Sequence, residues 1–426
     1  MSGVVITGLG AVCASGCEPA AIWDALRAGR SAVGPVRGWD ATGWPHSLAA
    51  EVTALEPRAL VPDRKLHKLL DRTDLLGLYA ARRAIETSGV PAARPPGAAD
   101  ANAFDDRSAV YVGAGGAPYR GQYDFLPLLA AAGGDLEVFG RELTTLVHPM
   151  WLLRTLPNNV LCHVGIQHGF KGPNGCVTNH SVSGLLALGD ALAVLRDGVA
   201  DRAVVVAHDA PVEPQRVAHY GSVGLLSGDA VRPFDVARSG TVLGEGAAAL
   251  VLETAGVVAA RGATVLGELL GSGCVSEGEG LLSVRVDGDG VARAIRAALA
   301  DAAVEPAAVG VIVAHGNGTP GSDASEARGI VAVFGAAPPP VLASKWAFGH
   351  TLAASGLLDV VVAVVTLARG EVPGIATLRA RDPECAVPVS AAAQPVRGGV
   401  ALVLCRGFAG MHAAVVVRGA TGGAGG

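Results

Sequence analysis

The chain has 426 residues, of which 50% are hydrophobic and only 17% are charged, and its formal net charge is −5. This composition predicts a compact globular protein with a large core, long enough for two domains or two fused halves. Because the chain has a slight excess of acidic residues and no basic cluster, it is not expected to bind nucleic acid.

Short apolar runs alternate with longer Ala- and Leu-rich stretches along the chain. The runs are nearly continuous in apolar residues, which is typical of strands covered on both faces. The predicted strands are Val4–Thr7, Ala109–Gly113, Ala203–Ala207, Ala248–Glu253, Val309–Ala314, Ala401–Leu404 and Ala413–Val417. The predicted helices are Pro19–Ala28, Leu75–Thr87, Val182–Arg196, Val291–Ala302, Ser322–Val333 and Thr351–Ala368. Alternation of this kind predicts an α/β fold.

Segments of other composition predict the connections between these elements. Pro91–Ala103 is Pro- and Ala-rich and is predicted to be an exposed loop, and Ala255–Gly262 is predicted to separate two strand-rich halves. The Gly-rich tail, residues 419–426, is predicted to be disordered. The letters show no internal repeat, so a two-fold relation between the halves cannot be derived from the sequence alone.

No segment predicts a secretory leader or a membrane span. The N-terminus lacks a basic region, and the apolar stretch at 357–368 is too short for a bilayer and is interrupted by Asp359. Seven scattered cysteines without a CxxC pair favour reduced thiols and a cytoplasmic location. Cys13 and Cys17 could form half of a metal site, but no second pair completes it, so no metal is expected.

Ser181 is the first candidate for chemistry, because it lies between a short predicted strand and a long predicted helix in TNHSVSGLLALGDAL. At such a turn the helix N-terminus favours negative charge, and backbone N–H groups can stabilise an oxyanion. A nucleophile is therefore one interpretation of Ser181. The other is a helix N-cap, which would stabilise the helix by about 1 kcal/mol.

Two further stretches place histidines at the ends of predicted strands. His315 follows the strand in VIVAHGNGTPGSDASEARGI, and Lys345 and His350 lie in LASKWAFGHTLAASG. A histidine beside glycines at a strand end suits acid–base chemistry, although it could equally satisfy loop hydrogen bonds. A lysine in such apolar surroundings needs a counter-ion, and Glu326 is its predicted partner unless the lysine is solvated.

The stretch CRGFAGMHAAVVV places Phe408 at a Gly-rich bend between two apolar strands. Taken alone, this pattern favours the turn of a β-hairpin.

Together these stretches resemble the β-ketoacyl-acyl-carrier-protein synthases, the condensing enzymes of fatty-acid and type II polyketide synthesis. The similarity extends over nearly the whole chain, from VVITGLGAV through LPNNVLCHVGIQHGFKGPNG to VRPFDVARSGTVLGEGAAALVLE. AHGNGTPGSDASEA matches the first histidine motif, and SKWAFGHTLAASG matches the lysine and second histidine motif. GFAGMHA resembles the Gly-Phe-Gly-Gly gate of the family.

The resemblance implies a thiolase-like fold in which two similar halves form five layers, α-β-α-β-α. The halves would span 1–254, with the nucleophile, and 255–418, with the histidines and the lysine. It also implies a dimer through strands beside the nucleophile, either a homodimer or a heterodimer with another ketosynthase subunit. The substrate would arrive on the phosphopantetheine arm of an acyl carrier protein, and no tightly bound cofactor is implied.

By motif position, the resemblance makes His315 and His350 the catalytic pair, Lys345 the supporting cation and Glu326 its partner.

The resemblance also assigns the rest of the site. Phe408, beside Gly407, would be the gate, and its N–H would form an oxyanion hole with that of Ser181. His180, Thr319 and Phe408 would contact the substrate.

Ser181 stands where the family has a cysteine. A thiolate at a helix N-terminus is nucleophilic with little help, whereas a serine needs a general base, which a histidine could supply. An oxoester is also a poorer acyl donor to carbon than a thioester, so repeated chain elongation is not expected. Asn179 and His180 depart from the family's small residues too, which favours a natural replacement over an engineered one. Cys176 is the alternative nucleophile.

Three functions follow from this reading. The first is an acyltransferase of polyketide or other specialised-metabolite biosynthesis, with Ser181 as acyl acceptor and His315 and His350 as the acid–base pair. The second is a non-elongating partner subunit resembling the chain-length factors, which also lack the cysteine but usually lose the histidine motifs. The third is a decarboxylase of malonyl-carrier protein, which needs no acyl-enzyme. The intact HGNGT and GHT motifs favour the first.

Overall fold

The structure of the chain, a computed structural model, describes residues 3–116, 123 and 125–420. Its strands are β1 (Val4–Cys13), β2 (Gly34–Pro35), β3 (Leu48–Ala49), β4 (Ser108–Ala114), β5 (Asn174–Val177), β6 (Arg202–Asp209), β7 (Gly246–Thr254), β8 (Gly267–Ser276), β9 (Val309–Val313), β10 (Val341–Leu342), β11 (Glu371–Val372), β12 (Gln394–Pro395), β13 (Val400–Arg406) and β14 (Met411–Gly419).

The helices of the same residues are α1 (Pro19–Arg27), α2 (Pro57–Leu60), α3 (Arg72–Ser88), α4 (Val90–Ala93), α5 (Ala98–Asp106), α6 (Leu126–Ala132), α7 (Leu136–Leu146), α8 (Trp151–Arg154), α9 (Asn159–His168), α10 (Ser183–Arg196), α11 (Pro214–Ser222), α12 (Ala255–Arg261), α13 (Asp289–Ala302), α14 (Pro320–Phe334), α15 (Lys345–Phe348) and α16 (Ser355–Arg369). Each strand and helix predicted from the sequence is present, with its ends shifted by a few residues.

Ten of the strands form one sheet in the order β10-β9-β13-β14-β8-β1-β7-β6-β4-β5. This order contains the same five-stranded unit twice. In the N-terminal unit β5, β4 and β6 run parallel, and β7 and β1 continue antiparallel. In the C-terminal unit β10, β9 and β13 run parallel, and β14 and β8 continue antiparallel. The units join where β1 pairs with β8, so the chain consists of two similar halves.

Helices α10 and α16 lie between the two sheet units and contact strands of both. Helix α10 contacts β4 and β6 on one side and β8 and β14 on the other, and α16 contacts β7, β13 and β14. Helix α3 covers β1, β6 and β7 from outside, and α13 covers β8 and β14. The five layers α-β-α-β-α implied by the resemblance are therefore confirmed.

The two central helices carry an internal repeat that the sequence analysis missed. Both α10 and α16 begin with the letters SGLL, and each follows a 3-10 turn. The first residue of each turn has a positive φ, +50° at His180 and +43° at Leu352. A Cβ on Gly356 would lie 2.7 Å from Leu185, so glycine lets the two helices cross closely at this point. The expectation of no repeat in the letters was wrong.

Strand β8 was not predicted, because glycines interrupt its apolar pattern. A Cβ on Gly271 would lie 2.4 Å from the backbone nitrogen of Ala302, and one on Gly273 would lie 2.6 Å from that of Ala298. These glycines let α13 pack directly on the strand backbone.

One predicted connection was wrong: Pro91–Ala103 is not a loop but contains most of α4 and part of α5, because alanine favours helix even in short exposed segments. Ala255–Gly262, which was predicted to separate two strand-rich halves, lies between β7 and β8 and contains α12. Gly262 ends α12 in the left-handed conformation, with φ +66°. Of the predicted disordered tail 419–426, Gly419 ends β14 and pairs with β8, while residues 421–426 lie outside the described residues.

The stretch Leu352–Arg369 is long and apolar enough to cross a membrane by length and composition alone. In the fold 78% of it is buried, because it includes α16 between the two sheet units. Its apolar character is accounted for by that packing.

Candidate active site

Ser181 lies at the turn between β5 and α10, and Ser183, two residues later, makes the side-chain hydrogen bonds to the backbone of this turn. The Oγ of Ser183 accepts the N–H of Asn179 at 2.7 Å and donates to the carbonyl of His180 at 2.7 Å. Ser181 is 5% exposed and its own side chain does not cap α10. The N-cap interpretation of Ser181 was therefore wrong, and its hydroxyl is directed to other partners.

The second histidine motif brings His350 to Ser181. Nε2 of His350 lies 3.4 Å from Oγ of Ser181, and Nδ1 accepts the N–H of Leu352 at 3.3 Å. In a neutral imidazole the accepting nitrogen carries no proton, so the proton of His350 lies on Nε2. His350 therefore presents a hydrogen-bond donor to the serine.

His315 follows β9 and stands beside His350, with ring centroids 5.0 Å apart and rings inclined at 76°. Its Nδ1 lies 3.8 Å from Sγ of Cys405. The thiol of Cys405 donates its hydrogen to the carbonyl of Ser181 at 3.0 Å, so its sulfur faces His315 as an acceptor. This places the ring proton of His315 on Nδ1 and leaves Nε2 unprotonated. The two histidines thus have opposite tautomers.

Both histidines are neutral at physiological pH. Burial lowers the pKa of His315 well below its ordinary value of 6.5, and the positive charge of Lys345 lowers it further. Burial and the charge of Lys345 also lower the pKa of His350 well below 6.5. Each ring therefore keeps one donor and one acceptor nitrogen, as an acid–base pair requires.

Lys345 forms its ion pair with Asp359, and the predicted pairing with Glu326 was wrong. Nζ of Lys345 lies 3.0 Å from Oδ2 of Asp359, and both side chains are 1% exposed. Asp359 also accepts a hydrogen bond from the hydroxyl of Ser344. The sequence carried a signal for this pair, since Asp359 is a lone acid in an apolar helix.

Glu326 holds the loop that carries His315. Its two carboxylate oxygens accept the backbone N–H groups of His315 at 2.7 Å and Gly316 at 2.9 Å. Burial raises the pKa of Glu326 to about 7. Both carboxylate oxygens are used in these backbone hydrogen bonds, so Glu326 positions His315, while the ion pair of Lys345 is made with Asp359.

Three aromatic rings pack together beside Ser181. The ring of His180 meets Phe408 edge-on at 4.7 Å, and Tyr220 stacks on Phe408 at 5.8 Å. The hydroxyl of Tyr220 lies 3.3 Å from Nδ1 of His180. Phe408 and Gly407 lie in the turn of the β13–β14 hairpin, as the hairpin interpretation predicts. Sequence reasoning missed Tyr220, because nothing in its local pattern indicates this contact.

A cavity of about 150 Å³ brings these groups together. Ser181, His180, His315, His350 and Thr319 all contribute to its wall. The apolar part of the wall is formed by Val223, Leu225, Leu243, Leu281, Leu282, Val284, Leu352 and Phe408. A small cavity with largely apolar walls, in which the hydroxyl of Ser181 stands beside the neutral imidazoles of His315 and His350, is suited to an acyl group.

Cys176 lies in β5, where its thiol donates to the carbonyl of Pro157 at 3.4 Å. Burial raises the pKa of Cys176 to about 11, so it is a protonated thiol at neutral pH and a poor nucleophile. In the part of the chain that the structure describes, no group of three or more His, Cys, Asp or Glu side chains is arranged to hold a metal ion.

Comparison with known proteins identifies the family. The β-ketoacyl synthase N-terminal domain matches residues 1–256, and its C-terminal domain matches residues 266–379. Nodulation protein E of Rhizobium sp. (strain N33) is 32% identical over 422 residues, which cover 97% of this chain and 98% of that protein. The structure of the ishigamide ketosynthase/chain length factor superposes with a TM-score of 0.85 at 29% identity, covering 98% of this chain and 99% of that one. A type II PKS acyl-carrier protein in complex with its ketosynthase bound to the hexaketide (AntDE:AntF) gives a TM-score of 0.82 at 25% identity, with 98% and 99% covered. The chain therefore belongs to the β-ketoacyl synthase family.

Proposed function

We propose that the protein is a ketosynthase-like acyltransferase that takes an acyl group from the phosphopantetheine arm of an acyl carrier protein in polyketide or other specialised-metabolite biosynthesis. The observation that carries the proposal is the convergence of Ser181 and two histidines in one cavity, where Oγ of Ser181 lies 3.4 Å from Nε2 of His350 and the ring of His315 lies 5.0 Å from that of His350. The similar ketosynthase that was solved with its acyl-carrier protein supports a carrier-bound substrate. A thioester is already activated, so this transfer needs no tightly bound cofactor.

In the first step, Nε2 of His315 takes the proton of Ser181 as Oγ attacks the thioester carbonyl carbon. The backbone N–H groups of Ser181 and Phe408 stabilise the oxyanion, and Nε2–H of His350 is a further donor. The C–S bond then breaks, and the imidazolium of His315 returns its proton to the departing sulfur. The products are a Ser181 oxoester and a free carrier thiol, so atoms and charge balance. The acyl group then passes to an acceptor or to water.

The charge of Lys345 has a direct consequence for this step. Because burial and Lys345 keep the pKa of His315 low, His315 is a weak base, and serine acylation is expected to be slow. The histidine is nevertheless neutral over the whole physiological range, so the reaction needs no prior deprotonation of the enzyme.

Release of the carrier thiol tests the proposal. Wild-type protein, mixed with acetyl-, butyryl- and malonyl-carrier protein, should liberate one equivalent of thiol in a first turnover, detected by a chromogenic disulfide reagent. Ser181→Ala should reduce the release to background, while Cys176→Ala, which removes the rival nucleophile, should leave it unchanged. Loss of release in Cys176→Ala, with Ser181→Ala unaffected, would overturn the assignment.

Decarboxylation of malonyl-carrier protein is a second candidate, favoured by the tautomer of His350. Its Nε2–H can donate to the thioester oxygen as the C–C bond to the carboxylate breaks, which releases CO2 and leaves an enolate. The enolate takes a proton from water and becomes an acetyl thioester. This reaction does not require Ser181, so persistent CO2 release by Ser181→Ala would favour it over acyl transfer.

A dimer, with a second copy or with another ketosynthase subunit, is supported by the surface beside the site. Strand β5 forms one edge of the sheet, next to the nucleophile turn. The helices between β4 and β5 expose the large apolar side chains Leu126, Leu129, Leu136, Leu146, Leu152, Leu153, Leu156 and Ile166. An exposed apolar face next to an open sheet edge is typical of a subunit interface. The ketosynthase/chain length factor structure, similar over the whole chain, supports a heterodimer as one form.

A further inference from the structure

A third histidine, His180, borders the cavity that contains Ser181, and the acylation step makes no use of it. Its ring forms part of the cavity wall, and the residue is exposed, whereas His315 and His350 are buried. Nδ1 of His180 lies 3.3 Å from the hydroxyl of Tyr220, a buried residue of α11. No group in the described part of the chain bonds the other ring nitrogen, Nε2. His180 is therefore anchored at one nitrogen and open to a ligand at the other.

His180 is neutral at physiological pH and is a stronger base than His315. Burial lowers the pKa of His180 below its ordinary value of 6.5, and the carboxylate of Asp209 opposes that shift. For His315, burial and the charge of Lys345 act together and lower the pKa much further. When His180 donates its Nδ1–H to the oxygen of Tyr220, its Nε2 can accept a proton.

We propose that His180 is the general base of the second half-reaction and that the acyl group passes to an organic hydroxyl. Nε2 of His180 takes the hydroxyl proton while the acceptor oxygen attacks the carbonyl carbon of the Ser181 oxoester. The bond between that carbon and Oγ of Ser181 then breaks, and the imidazolium returns its proton to Oγ. The products are an ester of the acceptor and a free Ser181 hydroxyl, so atoms and charge balance. The inference rests on the proposed function, because it assigns the acceptor and the base for the acyl group that Ser181 carries.

Three features favour a hydroxyl over the other acceptors. A carbon nucleophile formed by loss of CO2 has no proton to give up, so it would leave the free nitrogen of His180 without a role. The guanidinium of Arg406 lies in the same wall and repels an ammonium ion, so a neutral hydroxyl enters more readily than an amine. Leu281 and Leu282 line the cavity yet are 76% and 56% exposed, and an apolar rim of this kind suits an organic molecule better than water.

The decay of a preformed acyl-enzyme isolates this second half-reaction. The wild type is acylated with butyryl-carrier protein, separated from the carrier and followed by intact-protein mass spectrometry, in buffer alone and with 1-butanol as the probe hydroxyl. We expect 1-butanol to accelerate the loss of the butyryl group, with butyl butyrate as the main product by gas chromatography. In buffer alone the loss should be slower and should give butyrate.

His180→Asn removes the base, and asparagine tolerates the φ of +50° at this position. The variant should lose the butyryl group about 100-fold more slowly than the wild type, with or without 1-butanol. Its first-turnover release of carrier thiol should fall far less, because His315 is the base of that step. His219→Asn makes the same change at an exposed histidine beside Tyr220 that is not in the cavity wall, and this control should leave both steps unchanged.

The two proposals fail in different ways. Equal decay in the wild type and His180→Asn, the absence of butyl butyrate, or transfer of the butyryl group to malonyl-carrier protein in preference to 1-butanol would overturn the inference and leave the acylation of Ser181 standing. If the wild type never forms butyryl-Ser181, the proposed function is refuted and the inference falls with it.

Discussion

The buried pair of Lys345 and Asp359 makes a sharp prediction about stability. Asp359→Asn leaves the ammonium of Lys345 in an apolar interior without its counter-ion, because both side chains are 1% exposed. Loss of one partner of such a pair costs about 3–5 kcal/mol, a large share of the roughly 5–15 kcal/mol that stabilises a typical domain. Replacing both partners, as Lys345→Met with Asp359→Leu, removes the desolvation penalty and adds apolar packing. The double variant should therefore be more stable than Asp359→Asn.

Equilibrium urea unfolding of the wild type, Asp359→Asn, Lys345→Met and the double variant measures this order through the transition midpoints. Some loss in the double variant is expected, since the hydroxyl of Ser344 loses its acceptor at a cost of about 1 kcal/mol. The reasoning is refuted if the double variant is destabilised by the sum of the two single changes, because independent effects would mean that the charges do not interact.

Three further predictions concern the site and its surface. Activity should stay constant from pH 8 down to pH 6.5 and decline only in more acid solution, because burial and Lys345 lower the pKa of His315. In Lys345→Met the pKa of His315 rises, so the acid limb of the pH–rate profile should move to higher pH. An acid limb that does not move would contradict the coupling between Lys345 and His315. Ser181→Cys should give a thiol that iodoacetamide modifies readily, because this position lies in the cavity at the start of α10. The control is Ala353→Cys, which is fully buried at the equivalent turn before α16 and should stay unmodified. An unreactive thiol at position 181 would mean that the cavity is closed. Light scattering should show a dimer at micromolar concentration, with an interface above about 2,000 Å², and Leu136→Glu together with Leu152→Glu should dissociate it; a stable wild-type monomer would contradict the assigned face.

The sequence predicted those parts of the fold in which each element carries its own pattern. Apolar runs such as Ala203–Ala207 and the Ala- and Leu-rich stretch from Val182 identified buried strands and a central helix, and both are present. Strand β8 was missed because the packing of α13 demands glycines at 271 and 273, and glycine erases the apolar pattern that indicates a strand. The two-fold relation between the halves was not predicted either, because the SGLL repeat is only four residues long. It can be recognised as a repeat once the structure shows that α10 and α16 occupy equivalent positions and cross each other.

The candidate site was predictable to the extent that its residues stand at strand ends. Ser181, His315 and His350 were each singled out, and the structure brings all three into one cavity. The partners of these residues were not predictable, because they come from distant parts of the chain. Cys405, which bonds the Ser181 carbonyl, lies 224 residues away, and no local pattern links the two. The local sequence around Arg406 indicates only a residue of a β-hairpin. Its position in the wall of the Ser181 cavity depends on how β13 packs against the turn that carries Ser181.

The central claim is that Ser181 accepts the acyl group, and mass spectrometry after mixing with acylated carrier protein tests it most directly. The intact protein should gain the mass of one acyl group, and proteolysis should locate that group on the peptide containing Ser181. Ser181→Ala, with its cavity otherwise unchanged, should remain unmodified. An adduct on Cys176, or no adduct with short, long, neutral and carboxylated acyl groups alike, would contradict the account.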